Sequence, residues 1–217
     1  MAFTRKYRNL SDAITALDLN YKNSNLEISV QVTAPQAWLD EFTFDLQEMP
    51  YTISEEARRE ILIYPILRLA WKPYSQYFTV WNHRQISANE ELSGVPDYVI
   101  AKNSKRGRIV FEKPFVAVIE AKTDDFNEGW AQCVLEMLAI QALNKDTDFP
   151  VFGIVTTGES WQFGKLENDV MTQFKGNFSI NDIDEVISAL ATVFEFYKRI
   201  FEKIPPSVEK PNLSLKQ

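Results

Sequence analysis

At 217 residues, 45% of them hydrophobic and 13% aromatic, the chain is long enough to fill one core, and a single domain is the expectation. A formal charge of −7 and a sequence pI near 4.9 exclude tight, unspecific adhesion to nucleic acid through a generally basic surface, while leaving room for local basic patches. One cysteine, Cys133, and one histidine, His83, exclude an internal disulfide, a multi-cysteine zinc cluster and a histidine-rich metal site.

No charged start leading into an apolar stretch is present, and no apolar run approaches the roughly 20 residues that cross a bilayer. A soluble, cytoplasmic protein with no membrane partner is therefore expected. No GxxxxGK[ST] cradle occurs, which excludes a P-loop ATPase by this chain alone. Gly158-Glu159-Ser160 lacks the second glycine of a nucleophile elbow.

In chain order, a helix is expected near Ser11 to Leu19, an alternating strand over Leu26 to Val32, and an amphipathic piece from about Ala37 to Leu46 that Pro50 closes. Ser54 is the expected N-cap of the next helix, with Glu55 and Glu56 in its first turn where the helix dipole favours negative charge. Ile61, Leu62, Ile66 and Leu69 form its apolar stripe, and it fades by Trp71-Lys72-Pro73. Strands follow at Tyr77 to Trp81 and Tyr98 to Ala101. Asn103 to Gly107 has turn composition, which predicts a hairpin returning through Ile109-Val110-Phe111. After Glu112-Lys113-Pro114 comes Phe115 to Glu120, a continuous apolar run of the kind buried on both faces. A helix over Phe126 to Leu143, a buried strand over Val151 to Thr156, an edge strand over Glu159 to Leu166 and a long helix over Ile180 to Phe201 complete the pattern. This order predicts an α/β layer arrangement. Residues 1–50 are expected as an extension packed on the core, 51–204 as the domain proper and 205–217 as a loose tail.

The chemistry is concentrated in Gly94-Val95-Pro96-Asp97 and in Val116-Ala117-Val118-Ile119-Glu120-Ala121-Lys122. Side chains two apart in a strand share a face, so Glu120 and Lys122 point the same way. Two acids and an amine meeting at a sheet edge are what a divalent metal and an activated water require. An Asp capping one strand and a Glu-Lys pair ending the next are the structural alternative. Glu55 stands seven before Leu62 and eleven before Ile66, on the stripe that faces the sheet, and is the candidate accessory acid; Glu56 and Glu60 lie on its flank. A role for Glu55 confined to the helix dipole fits the sequence equally.

The order of acid-bearing helix, Pro96-Asp97, Glu120-Ala121-Lys122 and a Gln-bearing helix resembles the PD-(D/E)xK nuclease superfamily over roughly residues 50 to 165. More narrowly, Glu55 to Trp71, with Arg59 and Pro65, looks like the opening helix of the nuclease domain at the N-terminus of type I restriction motor subunits. The resemblance implies a restriction-endonuclease-like αβββαβ core, with a mixed central sheet flanked by helices and helical additions at both ends. It implies a metal-dependent endonuclease or exonuclease hydrolysing DNA phosphodiester bonds in restriction or DNA processing. Mg²⁺, or Mn²⁺ in its place, would be held by Asp97, Glu120 and the carbonyl of Ala121. Lys122 would orient or help deprotonate a water, or stabilise charge on the phosphate. Gln132 would be the polar residue of the following helix, and Glu136 stands four further on where family members commonly carry Tyr. The alternative is a catalytically silent module of the same fold that binds nucleic acid or a protein partner. A homodimer or a subunit of a larger complex fits either.

Lys102, Lys105, Arg106 and Arg108 surround the expected hairpin tip and are candidates to grip phosphates beside the acids; a solvated turn is their other explanation. Trp130, Trp161 and Phe163 are read as core before base-stacking residues. Cys133 and His83 have no charged partner in sequence and are read as structural. The apolar face of the last helix (Ile183, Val186, Ile187, Leu190, Val193, Phe194 and Tyr197) is either core or a docking surface, with core favoured.

Overall fold

Two apolar runs, 115–121 and 151–156, bury every one of their residues and must therefore be covered on both faces. The computed structural model, which describes residues 7–203, builds the rest of the chain around them. The elements in order are α1 (Leu10–Ala16), β1 (Asn20–Ser24), α2 (Gln36–Glu48), α3 (Glu55–Arg58), a π turn (Arg59–Ile63), α4 (Tyr64–Trp71), β2 (Phe78–Asn82), the short pair β3 (Ile86–Ser87) and β4 (Ser93–Gly94), and β5 (Tyr98–Lys102). They continue with β6 (Phe115–Ala121), α5 (Phe126–Asn144), β7 (Val151–Thr156), β8 (Ser160–Glu167), β9 (Val170–Phe174), β10 (Phe178–Ser179) and α6 (Ile183–Lys203). The tail expected from 205 lies outside the described residues.

The central sheet is mixed, in the order β1-β9-β8-β7-β6-β5-β2, with β10 on β8. β6 and β7 run parallel in its middle, as their double-sided burial demands, and β5 and β8 flank them antiparallel. The fold is thus α/β, a mixed sheet flanked by helices. One face packs under α4 and α6 through Leu62, Ile66, Ile119, Ile154, Leu190 and Phe194. The other packs under α5 through Val118, Val134, Met137, Ile140 and Val155. Each such fully buried aliphatic side chain contributes about 1.5–3 kcal/mol. The apolar face of α6 is buried against the sheet from Val186 to Tyr197, so it is a core face and no free docking surface.

Four sequence expectations need correction. Residues 26–32 are extended but form no sheet strand. Their backbone runs along α6, where Thr192 Oγ1, Ser188 Oγ and Asp184 Oδ1 accept from the N–H groups of Ser29, Val32 and Ala34 at 3.1, 2.9 and 2.8 Å. Alternating Leu26, Ile28, Val30 and Val32 made the segment extended, but hydroxyls spaced four apart on a helix satisfy its donors in place of a neighbouring strand. Ile109-Val110-Phe111 is likewise not a strand: β5 already has β2 on one side and β6 on the other, so no edge is left for it. Ile109 is instead exposed, and Phe111 packs on Trp81 and Phe115. β8 is interior and not an edge, because Glu167 and Val170 pair across a two-residue turn and add β9 beside it. Asn168 takes the left-handed conformation there, at φ 54°. Finally, the helix opening at Glu55 is not uniform but widens through the π turn.

Candidate active site

The acid-bearing helix starts as its sequence dictates. Ser54 is extended and its hydroxyl accepts from the Ala57 N–H at 3.1 Å, which frees Glu55 and Glu56 to project from the first turn. Pro65 explains the widening that follows. It carries no N–H and its ring would strike the carbonyl four residues back, so the turn before it opens and the Tyr64 N–H bonds to the Arg59 carbonyl. Arg59 stands where the regular first turn meets this widened one, with its own backbone still α-helical and its N–H bonded to the Glu55 carbonyl. Its Nη1 lies 3.0 Å from Glu55 Oε1 and 2.7 Å from Asp97 Oδ1, and its Nη2 lies 3.2 Å from Glu56 Oε1.

Asp97 stands one residue before the Tyr98–Ile119 pair, which brings it opposite Glu120. It is buried, and its Oδ2 accepts from the Ala121 N–H at 2.7 Å, tying the start of β5 to the end of β6. From Glu120 a hydrogen-bonded line runs into α5. Lys122 Nζ donates to Glu120 Oε1 at 2.8 Å and to Gln132 Oε1 at 3.0 Å, and Gln132 Nε2 donates to Glu136 Oε1 at 3.2 Å. Glu120 is 3% exposed and Glu136 fully buried, and the Oε2 of each has no partner. Gly129 lets α5 approach this closely, since a Cβ there would meet Val155 Cγ1 at 2.5 Å.

Burial pushes the Glu120 carboxyl up to about 8, and the charge of Asp97 adds to it against the pull of Lys122. Burial also raises Asp97 against the Ala121 N–H, Arg59 and His83, and raises Glu55, with Asp97 second. Glu136 is raised well above the ordinary carboxyl value by burial and then by Glu120. Burial works against the Lys122 ammonium too, but Glu120, Glu55 and Asp97 outweigh it and hold Lys122 above the usual lysine value. The site thus holds more carboxyl groups than cations in a water-poor setting.

Of the sequence candidates, Glu55, Asp97, Glu120, Ala121, Lys122 and Gln132 come together. Lys102, Lys105, Arg106 and Arg108, expected beside the acids, lie elsewhere. Lys102 ends β5 five residues from Asp97, about 16 Å along a strand. Its ammonium sits 4.2 Å from the Phe201 ring, while Arg106 faces Glu112 and Arg108 reaches toward the Ser75 carbonyl. The hairpin leaves β5 at the end away from Asp97, so its tip is carried away from the acids. Trp130, Trp161 and Phe163 are core, as expected, and Cys133 is buried. His83, read as structural, is half exposed with Nδ1 3.9 Å from Asp97 Oδ1. Arg59 was missed as a site residue, although its position four after Glu55 marks an ion pair.

Among the described residues, no group of three or more His, Cys, Asp or Glu side chains is arranged to hold a metal by itself. A two-carboxylate Mg²⁺ site completed by water and a carbonyl needs no such group. Asp97 and Glu120 are hard oxygen donors at one sheet end, Asp97 retains lone pairs beyond its two partners, and the buried, unpartnered Glu120 Oε2 lacks the donor or cation that such an atom ordinarily has. These residues fit a small divalent cation. No described helix is long and apolar enough to cross a membrane. No protein-family model matches the chain, and no curated protein is significantly similar to it.

Proposed function

We propose that this chain is a metal-dependent nuclease that hydrolyses DNA phosphodiester bonds, built on a restriction-endonuclease-like core and acting in the cytoplasm in DNA restriction or processing. The reading rests on one observation: Asp97, just before β5, bonds the Ala121 N–H, and next to it Glu120 and Lys122 at the end of β6 and Gln132 of α5 form a hydrogen-bonded line in which one buried oxygen of Glu120 has no partner. The sequence of helix, three strands, helix and strand from α3 to β7, with β3 and β4 as an insert, supports it.

Asp97 and Glu120 would hold Mg²⁺ or Mn²⁺, with the Ala121 carbonyl as the further oxygen donor that the resemblance implies. Such an ion supplies charge neutralisation at a phosphate and makes a bound water more acidic. The chain's own groups do the rest. The Asp97–Ala121 bond fixes the Asp97 carboxylate relative to the strand that bears Glu120. Glu120 and Gln132 hold Lys122 with its ammonium charged, and a fixed positive charge there stabilises negative charge developing on a phosphate oxygen. Gln132 in turn is held by Glu136, so the amine is positioned from two elements.

Incubation of plasmid and single-stranded DNA with Mg²⁺ or Mn²⁺ tests this, using the parent beside Asp97→Asn and Lys122→Ala. Cleavage by the parent, reduced about 10²-fold or more in each variant, is the expected outcome. Asn at 97 keeps an acceptor for the Ala121 N–H, whereas Ala would leave that buried donor and Arg59 without it. A parent that retains DNA without cutting it would replace the nuclease reading with a binding module, and a parent that does neither would end both.

A further inference from the structure

Arg59 carries a fixed positive charge into the acid cluster, where three carboxylates hold its two terminal nitrogens: Glu55 and Asp97 on one, Glu56 on the other. Its side chain is 11% exposed and that of Asp97 8%, so neither charge is left to solvent alone. A divalent cation on Asp97 and Glu120 would stand beside this guanidinium. Two like charges on one carboxylate in a low-dielectric pocket repel strongly.

What Arg59 faces when it leaves Asp97 is a cleft of about 340 Å³ that it already lines, with Tyr64, Asn82, His83 and Tyr98 on its walls. Glu56 and Glu60 also line that cleft and disfavour anions unless a cation is present to offset them. Arg59 needs only side-chain rotation to turn there. Its main chain stays anchored, because the Arg59 carbonyl accepts from both the Tyr64 N–H and the Tyr98 hydroxyl, the latter at 3.3 Å.

We propose that Arg59 is an exchangeable internal counter-ion: a divalent cation displaces its fork from Asp97, and the freed fork binds a substrate phosphate in the adjacent cleft. The inference rests on the metal-dependent reading above. It couples metal and DNA binding favourably through this one residue, so that its loss shifts the two affinities in opposite directions. Removing Arg59 lifts a competitor from the metal site and at the same time removes a phosphate ligand. A residue with a merely structural role would leave both affinities unchanged or weaken both.

The experiment measures Mn²⁺ affinity by calorimetry for the parent, Arg59→Gln and Arg59→Lys. It pairs this with fluorescence anisotropy of a labelled phosphorothioate duplex, which resists hydrolysis, in Mn²⁺. Arg59→Gln is expected to bind Mn²⁺ about tenfold tighter and the duplex about tenfold weaker, with Arg59→Lys between it and the parent on both scales. Parent binding of Mn²⁺ with unchanged or weaker affinity in Arg59→Gln overturns the inference alone. Absence of Mn²⁺ binding in parent and variants overturns the metal reading and this inference with it. If Arg59→Gln fails to fold, the Arg59 Nε–Hε resonance of the parent decides: it should shift on Mg²⁺ titration in step with site saturation, and a static resonance overturns the exchange.

Discussion

Glu136 is a carboxyl group placed where a charge is least welcome. It is fully buried one turn beyond Gln132, which satisfies one of its oxygens and leaves the other without a partner. Burial, and then the charge of Glu120, raises it well above its unfolded value near 4.5. The sign of the consequence follows from linkage: with the folded value the higher one, the folded chain holds the proton more tightly than the unfolded chain. The stability this contributes is complete below pH 4.5 and is lost as pH rises toward the folded value. Glu120 adds to the same trend between 4.5 and about 8. In metal-free protein, Glu136→Gln should therefore match the parent in urea denaturation near pH 4 and unfold at higher urea than the parent near pH 8. A variant that loses stability at pH 8 would mean that a charged Glu136 is being used by a group that the Gln132 bond does not reveal.

The same site depends on how closely whole elements approach. α5 lies against β6 and β7 with Gly129 at the contact, where an added Cβ would come within 2.5 Å of Val155 Cγ1 and 3.0 Å of Lys122 Cγ. Gly129→Ala should lower stability by about 1–3 kcal/mol through overpacking, a loss only partly offset by the better helix propensity of alanine. Because one of the displaced atoms belongs to Lys122, cleavage should fall as well, and thermal melts run beside the plasmid assay would test both. What was legible beforehand divides along this line. Ser54 as a cap, the span 151–156, the strand pair carrying Asp97 and Glu120, and the face shared by Glu120 and Lys122 follow from local rules of capping and alternation. Local rules do not say which neighbour completes an extended segment. Residues 26–32 took a helix's hydroxyls, Ile109 to Phe111 found no free edge, and the fully exposed polar β1 gave no apolar pattern to read. Nor do they tell that Asp97, 38 residues further along the chain, will come to face Arg59.

On the scale of the molecule, residues 7–50 complete three surfaces that the remainder cannot cover. α5 is apolar around most of its circumference, and its outer side is met by Leu10, Ile14, Leu17 and Leu19 of the α1 region. β1 pairs in parallel along the whole of β9, covering its outer side with a polar edge strand. The extended segment after it lays Leu26, Ile28, Val30 and Val32 onto the core while Asp184, Ser188 and Thr192 take its N–H groups. A chain beginning at Tyr51 would bare the outer side of α5, the open edge of β9 and the apolar flank of α6 together, a combination that favours association over folding. Such a truncation should therefore accumulate in aggregates, or show no cooperative melt by circular dichroism, even though every residue of the acid cluster is retained. A soluble truncated chain with a melt like that of the full chain would mean that residues 51–203 hold their own core and that the covering segments are an addition to a self-sufficient unit. The acid cluster sits at the end of β6, the strand that α5 holds down from one face and α6 from the other. Loosening either cover should move Glu120 and Lys122 relative to Asp97, so loss of the cooperative melt and loss of DNA cleavage should occur together in this truncation.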